Sequence, residues 1–203
     1  MRRIYPEEFQ FDKYSLRDFH ARERFCRNYT WAIPSQKAIQ SIVEFSAGEE
    51  IIEIGAGKGY WAKLINSFGG KIQCYDLLET FEVYFDSPTS PKDLSKAFEG
   101  FQTFYPVTFC STRNEIYSRI TDPKVLMFCW PEYEEPWAYE YLKEFVPQKL
   151  IFIGEWRGGC CAEDQFFDFL TSHYKEVECI EIPHWSCIHD AVWFFENACD
   201  FNL

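Results

Sequence analysis

A β-branched run that breaks into three closely spaced glycines constrains this chain more than any other feature. Residues 51–61 read I-I-E-I-G-A-G-K-G-Y-W, so a short apolar segment containing Glu53 leads into Gly55, Gly57 and Gly59. A helical pattern of apolar residues begins directly after them. Glycine adopts backbone angles that other residues avoid, and it lets another group approach the bare backbone. The segment therefore predicts a strand, a glycine turn and a helix whose N-terminus faces a polar or anionic group.

The spacing of these glycines distinguishes between kinds of nucleotide-binding turn. A dinucleotide site favours G-x-G-x-x-G, and a P-loop needs four residues between its glycine and a G-K-[ST] element. This segment has G-x-G-x-G, with an acid two residues before the first glycine. A second acid, Asp76, ends the next predicted strand at about the distance that a βαβ unit requires. The same residues would also fit a tight turn with a solvated acid, in a fold that binds nothing.

The pattern E-x-G-x-G-x-G resembles motif I of the class I S-adenosylmethionine (SAM)-dependent methyltransferases. The resemblance implies that the glycine loop lies under the methionine part of SAM, and that the acid ending the next strand binds the ribose hydroxyls. It implies a cofactor site at two neighbouring strand ends, made of Glu53, Gly55, Ala56, Gly57, Gly59, Tyr75, Asp76 and Leu77.

Composition narrows the class of protein and of partner. The chain has 203 residues, of which 47% are hydrophobic and 20% aromatic, so we expect one folded unit with a sizeable core. The net charge of −12 would repel phosphate backbones, which makes nucleic acid an improbable partner. Basic residues cluster near the N-terminus, but they alternate with acids, as on a mixed-charge helical surface.

Nine cysteines raise the question of disulfides. The chain begins M-R-R-I-Y-P without an apolar signal segment, and no apolar run is long enough to cross a bilayer. Cys74, Cys129 and Cys179 lie in or beside apolar runs, where a thiol behaves as a small hydrophobe. We therefore expect free thiols, a cytoplasmic location and no membrane association.

After the first 48 residues, strands and helices alternate. Strands are predicted at about 50–54, 71–75, 104–109, 124–129, 149–154, 175–182 and 190–196. Helices are predicted at about 58–68, 112–120, 134–145 and 163–172, with a turn at 86–91 and a short helix at 92–98. The strands between helices are near-continuous apolar runs, as buried parallel strands are. The pattern predicts an α/β, Rossmann-like, doubly wound, mostly parallel seven-stranded sheet that ends in an antiparallel C-terminal hairpin.

Residues 1–48 are predicted to form an N-terminal helical extension, and residues 49–203 the SAM-methyltransferase-like domain. Ser15 is the predicted cap of a first helix that runs through Tyr29, and Ser35 the cap of a second helix. We expect these helices to lie over the cofactor cleft as a lid.

The segment after the fourth strand, C-W-P-E-Y-E-E-P-W-A, stands where amino-methyltransferases carry [DNS]-P-P-[YFW]. Pro131 and Tyr133 match the second and fourth positions, whereas Trp130 replaces the polar first residue. This departure argues against adenine or cytosine N-methylation. Acidic and aromatic side chains would form a pocket suited to a cationic or amine-bearing acceptor, lined by Trp130, Glu132, Tyr133, Glu134, Glu135 and Trp137. Alternatively, Glu134 and Glu135 lie in the first turn of the next helix and favour its dipole.

Two further polar segments hold candidates for catalysis. The segment G-E-W-R-G-G-C-C contains Glu155, a possible base or charge partner, and Arg157, a possible ligand for a carboxylate or phosphate. The segment I-P-H-W-S-C-I-H-D contains His189, which would deprotonate an acceptor amine or hydroxyl. Alternatively, His189 and Asp190 only fix the turn. The Cys and His residues of this region match no zinc pattern, so no metal is expected.

Across residues 50–196 the chain resembles an uncharacterised family of methyltransferase-like proteins. That family carries elements like I-G-A-G-K-G-Y-W-A, C-W-P, I-G-E-W-R-G-G-C and I-P-x-W-x-x-I-H-D, and all four occur here. The resemblance implies the fold and a SAM site, but no particular substrate.

Together these features predict methyl transfer from SAM to an unidentified small-molecule or protein acceptor. The residues expected to face the acceptor are Trp130, Glu132, Tyr133, Glu155 and His189. Two alternatives remain open. A non-catalytic methyltransferase-like binding protein is one, because the acid expected after the third strand is absent and only Ser111, Thr112 or Asn114 would replace it. An NAD-linked oxidoreductase is the other, because an acid ending the second strand also suits NAD.

Overall fold

The structure is a computed structural model that describes residues 19–79 and 102–198. The predicted cap at Ser15, the turn at 86–91 and the helix at 92–98 lie outside the described residues. The helices are α1 (Phe19–Asn28), α2 (Gln36–Ser46), α3 (Tyr60–Ser67), α4 (Arg113–Arg119), α5 (Trp137–Phe145) and α6 (Asp164–His173). The strands are β1 (Glu50–Ile54), β2 (Lys71–Leu77), β3 (Thr108–Cys110), β4 (Val125–Cys129), β5 (Lys149–Gly154), β6 (Tyr174–Glu181) and β7 (Ala191–Asn197).

The seven strands form one sheet in the order β3-β2-β1-β4-β5-β7-β6. β3, β2, β1, β4 and β5 pair in parallel, whereas β7 runs antiparallel to both β5 and β6. The predicted Rossmann-like sheet with an antiparallel C-terminal hairpin is therefore confirmed. The strand order reverses between β1 and β4, and open α/β sheets bind ligands outside the carboxyl ends of the strands at such a point.

Helices cover both faces of the sheet, as expected for a doubly wound fold. One apolar core joins α2 and α3 to the sheet through residues such as Ile39, Ile42 and Trp61. The other joins α4, α5 and α6 to the opposite face through residues such as Tyr141 and Phe166. Helix α2 thus packs in the same core as the strands. The domain boundary predicted after residue 48 stays a prediction. In the described part of the chain, no helix has the length and apolar character needed to cross a membrane.

Two predicted helix starts are explained by capping. The Ser35 hydroxyl accepts the Ala38 N–H at 3.1 Å, and the Thr112 hydroxyl accepts the Glu115 N–H at 3.3 Å. The third strand begins later than predicted, at Thr108 rather than near residue 104. Pro106 precedes it and has no N–H to donate to a neighbouring strand, so pairing starts only beyond the proline.

Candidate functional site

The loop between β1 and α3 is built on glycines with left-handed backbone angles. The φ angle is +76° at Gly55, +54° at Gly57 and +68° at Gly59. The N–H groups of Gly55 and Ala56 donate to the Tyr75 carbonyl at 2.9 and 3.2 Å, which ties the loop to β2. Residues with a side chain lose about 1–2 kcal/mol in this conformation, so glycine keeps the loop both tight and bare.

Asp76, near the end of β2, is in direct contact with this loop. Its Oδ2 accepts the Gly57 N–H at 2.6 Å, and its Oδ1 accepts the Leu77 N–H at 2.7 Å. The side chain is buried, yet it forms part of a cavity wall. The structure therefore brings together the glycine loop and the acid that the sequence placed on neighbouring strands.

Glu53 lies inside the sheet, where the Cys74 thiol donates to its Oε2 at 3.4 Å. The side chain is fully buried, and burial raises the pKa of this carboxyl to about 8. The Cys74 hydrogen bond lowers this pKa, while the nearby negative charge of Asp76 raises it further. Glu53 and Ala56 line a small cavity of about 30 Å³ behind the glycine loop.

A much larger cavity, of about 500 Å³, opens at the carboxyl ends of the parallel strands. Its walls combine residues from the ends of β1 and β2, from α4 and α5, from β4 and the segment after it, from the segment between α1 and α2, and from the loop after β5. The lining residues are Trp31, Ile54, Gly55, Gly57, Asp76, Leu77, Glu79, Arg113, Ile116, Cys129, Trp130, Glu132, Tyr133, Glu135, Trp137, Tyr141 and Cys160. Of the predicted cofactor residues, Gly55, Gly57, Asp76 and Leu77 line it. Gly59 and Tyr75 line neither cavity and instead hold the loop in shape.

Trp130 follows β4 with a left-handed φ of +55°. Its indole N–H donates to Oδ1 of Asp190 at 2.7 Å, and its ring stacks on Trp31 at 5.4 Å between ring centroids. Asp190 is buried, and burial raises the pKa of its carboxyl to about 7. Asp190, which the sequence placed in the turn before β7, thus fixes the orientation of an indole in the cavity wall.

Glu132 and Tyr133 also line the large cavity, whereas Glu134 does not. Oε2 of Glu132 accepts the indole N–H of Trp137 at 2.6 Å. The Trp137 ring lies against the glycine loop, because a Cβ added to Gly55 would lie 2.8 Å from its Cη2. Trp137 therefore contacts the glycine loop after β1 and also binds the carboxylate of Glu132, which follows β4.

Glu155 and His189 lie outside the lining of the cavity. Glu155 is buried, and its two oxygens accept the N–H groups of His189 at 2.8 Å and Cys160 at 2.9 Å. Burial opposes ionisation, but these backbone donors outweigh it and lower the pKa of the carboxyl. The His189 side chain is 81% exposed. Glu155 thus joins the loop after β5 to the loop before β7, and a catalytic role for either residue stays a prediction.

The segment from α1 to α2 packs over the carboxyl ends of β1 and β4. The Lys58 ammonium donates to the Arg27 carbonyl at 2.8 Å, and Tyr29 packs on Tyr60 at 5.3 Å between ring centroids. Trp31 of this segment reaches the large cavity. These contacts place the segment between α1 and α2 over the cleft, as expected from the sequence. Its action as a lid stays a prediction.

Sequence reasoning missed Trp31 and Arg113 as cavity residues. Among the residues after β3, the Thr112 hydroxyl is occupied as a helix cap, and it is Arg113 that lines the cavity. Arg113 pairs with Glu140 at 3.1 Å and with Glu135 at 3.6 Å. No local pattern singled out Trp31, because its place depends on how the N-terminal segment folds back over the sheet.

The described residues hold no metal cluster, and the buried thiols among them are not activated. Within residues 19–79 and 102–198, no three His, Cys, Asp or Glu side chains are grouped as metal ligands, and eight cysteines are free thiols. Burial raises the pKa of the Cys74, Cys129 and Cys161 thiols, so these cysteines are protonated and poor nucleophiles.

The sequence matches no established protein family and no curated protein. Among solved structures, it is similar to 1,6-didemethyltoxoflavin-N1-methyltransferase from Burkholderia thailandensis, with 10% identity, a TM-score of 0.47 and coverage of 90% of this chain and 84% of that one. It is similar to the N-methyltransferase NodS from Bradyrhizobium japonicum, with 14% identity, a TM-score of 0.45 and coverage of 80% and 87%.

A third similar structure is the tRNA methyltransferase TrmI from Aquifex aeolicus, with 12% identity, a TM-score of 0.47 and coverage of 84% of this chain and 72% of that one. The first two of these structures contain S-adenosylhomocysteine. Similarities as distant as these do not indicate what the present chain binds or does.

Proposed function

We propose that this chain is a SAM-dependent methyltransferase. One observation carries the proposal: beside the point where the strand order reverses, Asp76 of β2 and the bare glycine loop after β1 meet at the wall of one large cavity. A carboxylate at this place can accept hydrogen bonds from ribose hydroxyls, and the exposed backbone beside it can bind a neighbouring charged or polar group of the same ligand. The spacing G-x-G-x-G favours SAM over NAD at this loop.

The residues present fit such a cofactor. Gly55 and Gly57 would lie along it without a side chain in the way, Asp76 would accept hydrogen bonds from the ribose, and Glu53 would support the loop from behind. When bound, SAM supplies an electrophilic methyl group attached to a positively charged sulfur. The acidic lining of the cavity favours that charge.

For the acceptor, we propose an amine-bearing small molecule or protein side chain. Trp130, Glu132 and Tyr133 line the β4 side of the cavity, where they would orient the acceptor and exclude water. The carboxylate of Glu132 would first take a proton from an acceptor amine that is bound in its protonated form, which frees the lone pair of the nitrogen. As that nitrogen bonds to the methyl carbon, the bond between this carbon and the sulfur of SAM would break and S-adenosylhomocysteine would leave. A net charge of −12 argues against a nucleic-acid acceptor. The free thiols favour a reducing location, and we propose the cytoplasm.

Calorimetric titration with S-adenosylhomocysteine tests the cofactor proposal. We expect the wild type to bind, and Asp76→Ala to bind at least about tenfold more weakly, because a hydrogen bond to a charged group contributes about 1.5–3 kcal/mol. Glu50→Ala is the matched control, since it removes an acid from the other end of β1 and should leave binding unchanged.

Two results would contradict the proposal. Equal binding by the wild type and Asp76→Ala would remove the ribose assignment. Thermal stabilisation by NAD or NADP, but not by SAM or S-adenosylhomocysteine, would favour the oxidoreductase. A protein that binds SAM and transfers no labelled methyl group to any acceptor in a cell extract would instead be the non-catalytic binding protein.

A further inference from the structure

The large cavity has two sides, and the cofactor proposed above accounts for only one of them. Gly55, Gly57, Asp76 and Leu77 form the side at the ends of β1 and β2. The side that follows β4 is lined by other residues, which we call the β4 subsite: Trp31, Trp130, Glu132 and Tyr133. The chemistry of these four side chains limits what the subsite can take.

The cavity as a whole is negatively charged. Four carboxylates line it, from Asp76, Glu79, Glu132 and Glu135. Arg113 is the only basic side chain among the described lining residues, and its guanidinium is already paired with Glu135 and Glu140. An anionic ligand would be repelled, and an ammonium ion would be attracted.

The aromatic wall of the subsite suits the apolar body of a ligand. The Trp31 and Trp130 rings are stacked with an interplanar angle of 18°. The guanidinium carbon of Arg22 lies 5.3 Å from the Trp31 ring centroid and 5.4 Å from that of Trp130. The Arg22 guanidinium thus already occupies the cation–π position on this indole pair, although Arg22 does not line the cavity, so the pair offers a ligand apolar ring surface and not a second cation site.

The carboxylate of the subsite is fixed in place. The 2.6 Å hydrogen bond from the Trp137 indole orients Glu132, and Trp137 is wedged against Gly55 and Phe128. Glu132 is itself exposed, so an ammonium ion would pair with it at the mouth of the cavity while the apolar body of that ion lies against the aromatic rings. Trp137 is therefore a positioning residue for Glu132.

The opening of the subsite favours a flat apolar group next to that charge. Tyr133 is 58% exposed and Trp31 is 37% exposed, so both present ring surface near the entrance. Exposed aromatic surface at a cavity is typical of a ligand-binding wall.

We propose that the β4 subsite binds an organic ammonium ion with a flat apolar body, with Glu132 pairing its charge and the Trp31–Trp130 pair contacting its body. The inference rests on the proposed function, because it names the class of molecule that the methyltransferase takes as acceptor. Trp31, supplied by the covering N-terminal segment, is a specificity-determining residue of this subsite.

The test compares two probes of nearly equal shape, phenethylamine, which is protonated at pH 7, and 2-phenylethanol. Their affinities for the full chain are measured by ligand-observed NMR, without and with saturating S-adenosylhomocysteine. We expect the amine to bind at least about tenfold more tightly than the alcohol in both conditions. Glu132→Gln should reduce that preference to about twofold or less, and Trp31→Leu should weaken both probes.

Glu134→Gln is the matched control, because it removes the same charge from the same loop at a residue that does not line the cavity. It should keep the full preference for the amine. Equal affinities of the two probes in the wild type, equal effects of Glu132→Gln and Glu134→Gln, or displacement of the amine by S-adenosylhomocysteine would each overturn the inference. Preference for the amine without any binding of S-adenosylhomocysteine would reject the cofactor proposal and keep the ammonium subsite.

Discussion

The two sides of the cavity are held together in different ways. On the β1–β2 side, Asp76 bonds to Gly57, 19 residues away, and both follow directly from neighbouring strands of one βαβ unit. On the β4 side, Trp130 bonds to Asp190, 60 residues away, and stacks on Trp31, which precedes the first strand. The first side is thus a product of local pattern, whereas the second depends on packing between distant segments.

Substituting Gly55 by alanine should produce the largest effect and tests the local side. Its φ of +76° and the 2.8 Å approach of Trp137 leave no room for a Cβ. We expect a loss of about 3 kcal/mol in the free energy of unfolding, from left-handed strain of about 1–2 kcal/mol and overpacking of similar size, measured by denaturant titration. Gly48→Ala, at φ +82° with open space around it, should lose only about 1 kcal/mol. Equal losses would show that Trp137 moves aside easily.

Glu53→Gln should change how stability depends on pH. Because the pKa of about 8 in the folded protein lies above the ordinary glutamate value of 4.5, the stabilisation is complete below about pH 4.5 and is lost as pH rises toward 8. The wild type should therefore lose about 3 kcal/mol more than the variant between pH 5 and pH 8, measured by urea unfolding at each pH. Parallel pH profiles for the two proteins would mean that Glu53 is ionised in the fold.

A smaller effect is expected on the long-range side, at Asp190. Asp190→Ala removes the acceptor of the Trp130 indole N–H, and should lower the free energy of unfolding by about 1–3 kcal/mol at pH 7. Asp190→Asn keeps an acceptor oxygen in the same place, so its loss should be less than half as large. If both variants unfold at the same denaturant concentration, the indole hydrogen bond does not stabilise this side of the cavity.

The sequence also predicts the β1–β2 side of the cavity better than the β4 side. The glycine loop and Asp76 were located from spacing alone, because a βαβ unit forces the ends of adjacent parallel strands together. Trp130, Glu132 and Tyr133 were placed near the cavity from their position after a strand. Glu155 resembled them in position, yet its buried carboxylate accepts the backbone N–H groups of Cys160 and His189, because a buried carboxylate needs hydrogen-bond donors. The position of Glu155 after a strand does not predict which way its side chain points.

By itself, the sequence determined the α/β class, the order of the described elements from β1 onward and the residues of the glycine loop, because apolar periodicity and glycine spacing act over a few residues. Only the tertiary structure decided that Trp31 enters the cavity, that Arg113 of α4 lines it, and that Trp137 connects the glycine loop to Glu132. Those contacts join segments far apart in the chain, and side-chain packing between such segments is fixed only when the whole fold has formed.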